Sequence, residues 1–235
     1  MNAGDRASLL PVVSKPVRPR PRIHVAGGVL VEGDAGLRDL QVTVSLSSPS
    51  VLPVSVNLAA LAGTATGLVD FAPVTGTVTF TPGTLDAVFR VPIVGDTLVE
   101  ATETFSVKAT LPTNAALGAP VGVWKILNDD TLADNRVWVG DVTIREGLTG
   151  VRTARIPISL SRTTTSSVTV TWTLTSIKGI DGSDVDATTG TITLPAGTFI
   201  THLEIPVHGD TTTETTEKAR IVITDPTGGP TIGRS

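Results

Sequence analysis

The sequence predicts an all-β chain of two tandem immunoglobulin-like β-sandwiches, the second lacking its last strand. Three observations carry this. The 235 residues include no Tyr and no Cys, five Phe and three Trp, but 23 Gly and 16 Pro, a composition suited to short strands joined by tight turns. Apolar and polar residues alternate with period two through stretches such as QVTVSLS (41–47) and AVFRVPIV (87–94), which is the pattern of half-buried strands. Finally, Glu32 and Glu146, Asp70 and Asp184, Gly76 and Gly190, Asp96 and Asp210, Glu100 and Glu214, and Glu103 and Glu217 are each 114 positions apart. An offset that uniform marks a duplication with almost no insertion between the copies.

Residues 1–22 read as an extended arm ending in KPVRPRPR, where Pro16, Pro19 and Pro21 favour polyproline geometry and Lys15, Arg18, Arg20 and Arg22 gather positive charge. It is a solvated linker or a binder of acidic surfaces, and it lacks the interleaved aromatics that stack on single-stranded nucleic acid. The first sandwich spans 23–130. Its strands include GTVTF (76–80) and FSVKATL (105–111), and TPGT at 81–84 matches PAGT at 195–198 as an equivalent turn. Parity places Phe89, Val91 and Ile93 on one face, Leu203, Ile205 and Val207 on its counterpart, and Phe105, Val107, Ala109 and Leu111 inward on the next strand. The second sandwich, 131–235, keeps Ala219, Ile221 and Ile223 inward and turns His202 and His208 outward with Glu204 and Pro206. Gly118 corresponds to Gly233 after a one-residue shift, so the counterpart of VGVWKIL (121–127) falls past Ser235. That leaves the backbone of residues 219–224 as an expected open edge, ready to take a strand.

A formal net charge of −4 gives no reason to expect nucleic acid and is compatible with cation binding. Without cysteine there is neither a disulfide nor a thiolate metal site. The longest apolar stretches are strand-length, so no membrane span is expected, and the N-terminus lacks the apolar core of a secretory signal. Either a signal was removed from a longer precursor or none was used. His24, His202 and His208 are the only histidines. They form no arrangement with a nucleophile, and the two-residue spacing of His208 and Asp210 is uninformative, so no enzyme is expected. Trp124, Trp138 and Trp172 suit core filling better than stacking on a sugar, which leaves carbohydrate a minor possibility.

The acids are harder to place. GDTLVEATETF (95–105) returns as GDTTTETTEKA (209–219). Glu103 shares the inward parity of Phe105, and Glu217 that of Ala219. A lone carboxylate at the rim of an apolar core is costly by several kcal/mol unless paired or coordinated. Two readings stay open on spacing alone: a bound cation, or a side chain that swings out to water.

The ordered combination GTATGLVDFAPVTGTVTFTPG, VPIVGDTLVEATETFSV and ILNDD resembles the Calx-β family, in full over roughly 23–130 and in part over 137–235. The resemblance implies tandem seven-stranded sandwiches of surface and extracellular proteins, found also in the regulatory loop of sodium–calcium exchangers, where they bind calcium. Its ligand pattern falls on Glu32, Asp70, Asp96, Glu100, Glu103, Asp129 and Asp130, all acidic here, and Ca²⁺ takes six to eight oxygens in irregular geometry. Gly95 and Asn128 stand where strong binders often carry further aspartates, so one ion is expected in the first sandwich. The second keeps Glu146, Asp184, Asp210, Glu214 and Glu217, with Asp186 beside them, but no counterpart of Asp129 and Asp130, which implies a weaker site. An ion at Asp129 and Asp130 would tie the linker TLADNR to the loops above it. The expected function is a non-enzymatic, calcium-binding structural or adhesive spacer of a surface or extracellular assembly. Its partners would be other domains of that assembly or neighbouring copies. The alternative is a self-assembling filament or virion subunit whose second sandwich accepts a donated strand.

Overall fold

The computed structural model describes residues 19–130, 134–180, 182–212 and 216–233, and every described element is a strand, bridge or turn. The arm up to residue 18 and Glu214 lie outside the described residues. The first repeat contains β1 (Arg22–Val25), β2 (Gly27–Val31), β3 (Gly36–Leu46), β4 (Val54–Ala62), β5 (Thr75–Phe80), β6 (Asp86–Gly95), β7 (Glu103–Thr113), β8 (Ala116–Ala119) and β9 (Val121–Leu127). The second contains β10 (Arg136–Val139), β11 (Asp141–Thr143), β12 (Gly150–Leu160), β13 (Val168–Lys178), β14 (Thr189–Leu194), β15 (Ile200–Gly209), β16 (Lys218–Thr224) and β17 (Thr231–Ile232). No helix among the described residues is long and apolar enough to cross a membrane.

In the first repeat the sheet β6-β3-β1-β8 packs on β2-β9-β7-β4-β5. Between them lies one core containing Phe89, Val91, Ile93, Phe105, Val107, Ala109 and Trp124, as strand parity demands. Phe71, next to Asp70, stacks on Phe105 with ring centroids 5.0 Å apart, which anchors the Asp70 loop to the start of β7. The Thr81–Thr84 and Pro195–Thr198 turns close with matching bonds, Thr84 N to Thr81 O at 3.1 Å and Thr198 N to Pro195 O at 3.2 Å. Leu111 departs from expectation. It is exposed, because its left-handed backbone (φ 50°) breaks the alternation that would have turned it inward.

The second repeat repeats the sheet β15-β12-β10-β17, while its other sheet reads β14-β13-β16. Among the described residues β16 pairs with β13 alone. Ile223 is accordingly buried in that core, but Ala219 and Ile221 are only partly covered. The counterpart of β2 is β11, which pairs antiparallel with β2 itself, Val142 opposite Gly28. That joins the two repeats in one six-stranded sheet, β11-β2-β9-β7-β4-β5.

Gly28 and Val142 are themselves 114 positions apart, so the two repeats meet about a local two-fold axis, and their other contacts come in reciprocal pairs. Asp34 N donates to Ser161 O at 2.9 Å and Leu148 N to Ser47 O at 3.1 Å. A Cβ on Gly36 would stand 2.7 Å from Phe199 Cε2, and one on Gly150 2.5 Å from Leu85 Cδ1. Both glycines have φ +76°, so backbone and packing each require glycine there. This contact explains why Val42 to Leu46 and Ile156 to Leu160 are buried residue after residue rather than alternately: one face of β3 and β12 is core, the other is the opposing repeat. It also corrects the reading of His202. That ring does leave its own core, but it is covered by the first repeat, and Nε2 accepts from Gln41 N at 3.1 Å.

Candidate cation site

Five segments converge at one end of the first sandwich: the turn after β2 (Glu32, Asp34), the loop before the bridge at Phe71 (Asp70), the β6–β7 loop (Asp96, Glu100), the start of β7 (Glu103) and the chain leaving β9 (Asn128, Asp129, Asp130). The structure sorts their carboxylates into two groups. Ligand oxygens of Asp70, Glu100 and Glu103 all lie within 4.8 Å of one another, and so do those of Asp34, Asp129 and Asp130.

The Asp129 group is served by the protein. Asp129 Oδ1 accepts from Gly33 N at 2.9 Å, and Oδ2 accepts from the Ser161 hydroxyl of the second repeat. Asp34 accepts from Arg162 Nε at 2.5 Å, and Asn128 Nδ2 reaches both Asp130 at 2.5 Å and Glu32 at 2.7 Å. The fully buried Arg38 guanidinium stands beside these acids. Burial pulls its pKa down to about 10 while the charges of Asp129, Glu32, Asp34 and Asp130 hold it up. Asp130 Oδ1 is buried without a partner.

The Asp70 group has less internal support. Asp70 is buried and accepts from Thr66 N at 2.5 Å. Burial, a hydrogen bond with Asp70 and the charges of Asp70 and Glu100 push Glu103 up to about 7. Glu32 is pushed up to about 8, first by burial, then by Asp130, Asp96 and Glu100, against the opposing Asn128 bond. Among the described residues no ion pair engages Asp70, Glu100 or Glu103. Asp96 sits at the same end, where its Oδ1 accepts from Leu98 N at 2.7 Å. A group made only of carboxylates, crowded enough to hold a proton near neutrality, suits a hard divalent cation with oxygen ligands.

All seven positions expected from the sequence therefore lie at one end of the sandwich, five of them in two clusters, Asp70, Glu100 and Glu103 in one and Asp129 and Asp130 with Asp34 in the other, while Glu32 and Asp96 stand outside both. Asp34, Arg38, Ser161 and Arg162 were missed. Asp34 is visible as the acid in EGD (32–34), where the second repeat reads EGL (146–148). Arg38 is visible as a cation with the inward parity of Leu40 and Val42. Ser161 and Arg162 carry no local signal, because only the packing of the repeats delivers them. Gly95 also gains a reason: a Cβ there would collide with Gly33 O and Arg38 Nη1, so no aspartate side chain fits.

In the second repeat, the described residues bring no three acids within ligand distance of one another. Asp210 accepts from its own Thr212 N at 2.6 Å, Glu217 packs against Gly179, and the Glu146 carbonyl is held by Arg152. Asp184 is buried, its carbonyl bonded to His208 N. His208 pairs with Asp186 at 2.6 Å rather than with Asp210. Trp124 and Trp172 are core residues, and Trp138 donates to Ser161 Oγ at 3.1 Å.

Over residues 31–131 and 140–233 the sequence matches the family described as the Calx-beta domain. Among solved structures, the apo-form Calx CBD1 domain is 24% identical, covering 47% of this chain and 99% of that one, with a TM-score of 0.42. CBD12 from CALX1.2 is 18% identical over 89% of this chain and 82% of that one, with a TM-score of 0.43. The Calx CBD2 domain is 14% identical, covering 44% and 84%, with a TM-score of 0.39. No curated protein matches the chain.

Proposed function

Since the chain belongs to the Calx-β domain family, which covers most of both repeats, we propose that it is a non-enzymatic calcium-binding module, a structural or adhesive spacer of a surface or extracellular assembly. The observation that supports this most is the convergence of Asp70, Glu100 and Glu103. Three carboxylates at one point repel one another, and a calcium ion there would supply the missing positive charge. Glu32 and Asp96 stand close enough to influence the same field. The Asp129 group is largely answered by Arg38, Arg162, Ser161 and Gly33, so the proposal assigns one principal ion to the first repeat.

Titration of the full chain with calcium tests this. One ion should bind, and at a free concentration a hundredfold above Kd it should stabilise the fold by about 2.7 kcal/mol. Glu103→Gln combined with Asp70→Asn should abolish both binding and stabilisation. A melting temperature indifferent to calcium and chelator would overturn the proposal.

The β16 edge favours a second reading, in which neighbouring copies assemble by donating a strand. Among the described residues β16 pairs on one side only, and an edge of that kind can accept an added strand. Sedimentation of the chain over a concentration range, with and without residues 1–14, distinguishes ordered oligomers built by the arm from a monomer.

A further inference from the structure

Two loops flank the Asp70 group, and both carry exposed aliphatic tips. Leu68 is 79% exposed, Val69 45%, Leu98 59% and Val99 68%. Leu68 and Val69 immediately precede Asp70, while Leu98 and Val99 lie between Asp96 and Glu100. The tips are tied down through main-chain atoms: Leu68 N to Phe71 O at 2.8 Å, Val69 N to Thr66 O at 3.2 Å, and Leu98 O to Asn128 Nδ2 at 2.7 Å. Their side chains contribute nothing to those bonds.

The second repeat shows that the fold does not require them. It keeps the acids at Asp184, Asp210 and Glu214, yet reads Gly182 and Ser183 where the first has Leu68 and Val69, and Thr212 and Thr213 where the first has Leu98 and Val99. Leu68 moreover occupies a left-handed backbone (φ 72°), a conformation ill suited to leucine. A strained leucine held in water, at a place where its own duplicate manages without one, points to something outside the chain.

We infer that the Leu68–Val69 and Leu98–Val99 tips insert into an anionic lipid surface when the adjacent acidic site is loaded with calcium. This rests on the calcium reading given above. Charge decides the partner and the condition. Unloaded, the end that carries Glu32, Asp70, Asp96, Glu100 and Glu103 is repelled by anionic headgroups. A calcium ion takes six to eight oxygens, more than the carboxylates of Asp70, Glu100 and Glu103 would supply, so a bound ion would keep room for the phosphate and carboxylate oxygens of an anionic headgroup while the apolar tips enter. The four side chains are exposed singly on two loops next to the acids, an arrangement that suits insertion into a deformable bilayer interface.

Flotation of the full chain with phosphatidylcholine vesicles, with and without phosphatidylserine, in calcium or in chelator tests the inference. The thermal shift caused by calcium is measured alongside. The chain should float only with phosphatidylserine and calcium together. The fourfold variant Leu68→Gly, Val69→Ser, Leu98→Thr, Val99→Thr, which installs the second repeat's residues, should bind at least about tenfold more weakly while keeping the calcium shift. Absence of flotation with an intact calcium shift overturns the lipid inference and leaves the calcium site standing. Flotation that ignores chelator, or that the fourfold variant retains, overturns it too. Loss of the calcium shift itself in the parent chain is the separate failure of the calcium reading.

Discussion

Arg38 and Arg152, 114 positions apart, grip each other's repeat in the same way. Arg38 Nη2 donates to Leu160 O at 3.0 Å, and Arg152 Nη2 donates at 2.5 Å to Leu46 O, the counterpart of Leu160. Each guanidinium crosses the local two-fold axis to bind a strand end that its own repeat also presents. Duplicated sandwiches thus meet as the two halves of a symmetric dimer do.

Replacing either arginine should therefore loosen the pair from either end. Arg38→Ala and Arg152→Ala each remove charge-assisted bonds to buried carbonyls, which costs roughly 1–3 kcal/mol apiece. Denaturant unfolding should show a lower midpoint for both, and the radius of gyration from scattering should rise. A variant that keeps midpoint and radius would mean the reciprocal grip contributes nothing.

The glycines beside those arginines predict a matching pair of defects. Gly36→Ala puts a methyl group against Phe199 and Gly150→Ala one against Leu85, each at φ +76° where alanine is strained. Both substitutions should destabilise by more than about 1 kcal/mol, whereas Gly83→Ala, at φ +87° with open space around it, should carry the backbone penalty alone. Equal losses at all three positions would leave the interface contact without weight.

Acid should act on the same interface. His202 is held near pKa 4, mainly by burial, with Arg155 and Arg90 adding to it against Asp39. His24, which accepts from Ala119 N, is also near 4 through burial and the charges of Arg145, Arg152 and Arg22. Both folded values lie below the ordinary 6.5, so the unfolded chain binds more protons. The associated stability is complete above pH 6.5 and is lost as pH falls through about 4. Glu32 and Glu103, held near 8 and 7, act in the opposite sense over the same window, so the histidine contribution is read as a difference: the thermal midpoint of the parent relative to His202→Gln should fall as pH drops from 6.5 to 4. A difference that stays constant over that window would contradict the burial of the His202 ring.

Most of this architecture was legible because alternation and a constant offset are local properties of the chain. Phe89, Val91, Ile93, Phe105 and Trp124 lie where parity or composition put them, and the seven acids that the Calx-β resemblance names lie at one end; the constant offset alone marks five of them, since Asp129 and Asp130 have no counterpart. What stayed hidden came from contacts between repeats. His202 looked exposed on its own strand and is covered by Gln41 of the other repeat. Leu111 was misplaced by one left-handed residue, a backbone feature that side-chain alternation does not report. The seven acids read as one site because sequence could not show Ser161 and Arg162 entering from the other repeat to engage Asp129 and Asp34.

That division gives the two acidic groups different behaviour. Asp129 accepts two hydrogen bonds, one from Gly33 N within its repeat and one from the Ser161 hydroxyl across the interface, so Asp129→Ala leaves a buried donor without its acceptor on each side and should destabilise the chain by roughly 2–5 kcal/mol whether or not calcium is present. Glu103→Ala instead removes a carboxylate that is crowded by Asp70 and Glu100. In chelator it should leave stability unchanged or raise it, by relief of like-charge repulsion. In calcium it should lose the gain the parent shows. Melting curves of the two variants in calcium and in chelator separate these cases. If Asp129→Ala were harmless in chelator and abolished only the calcium gain, Asp129 would be a ligand first and the interdomain clasp at Ser161 would count for little.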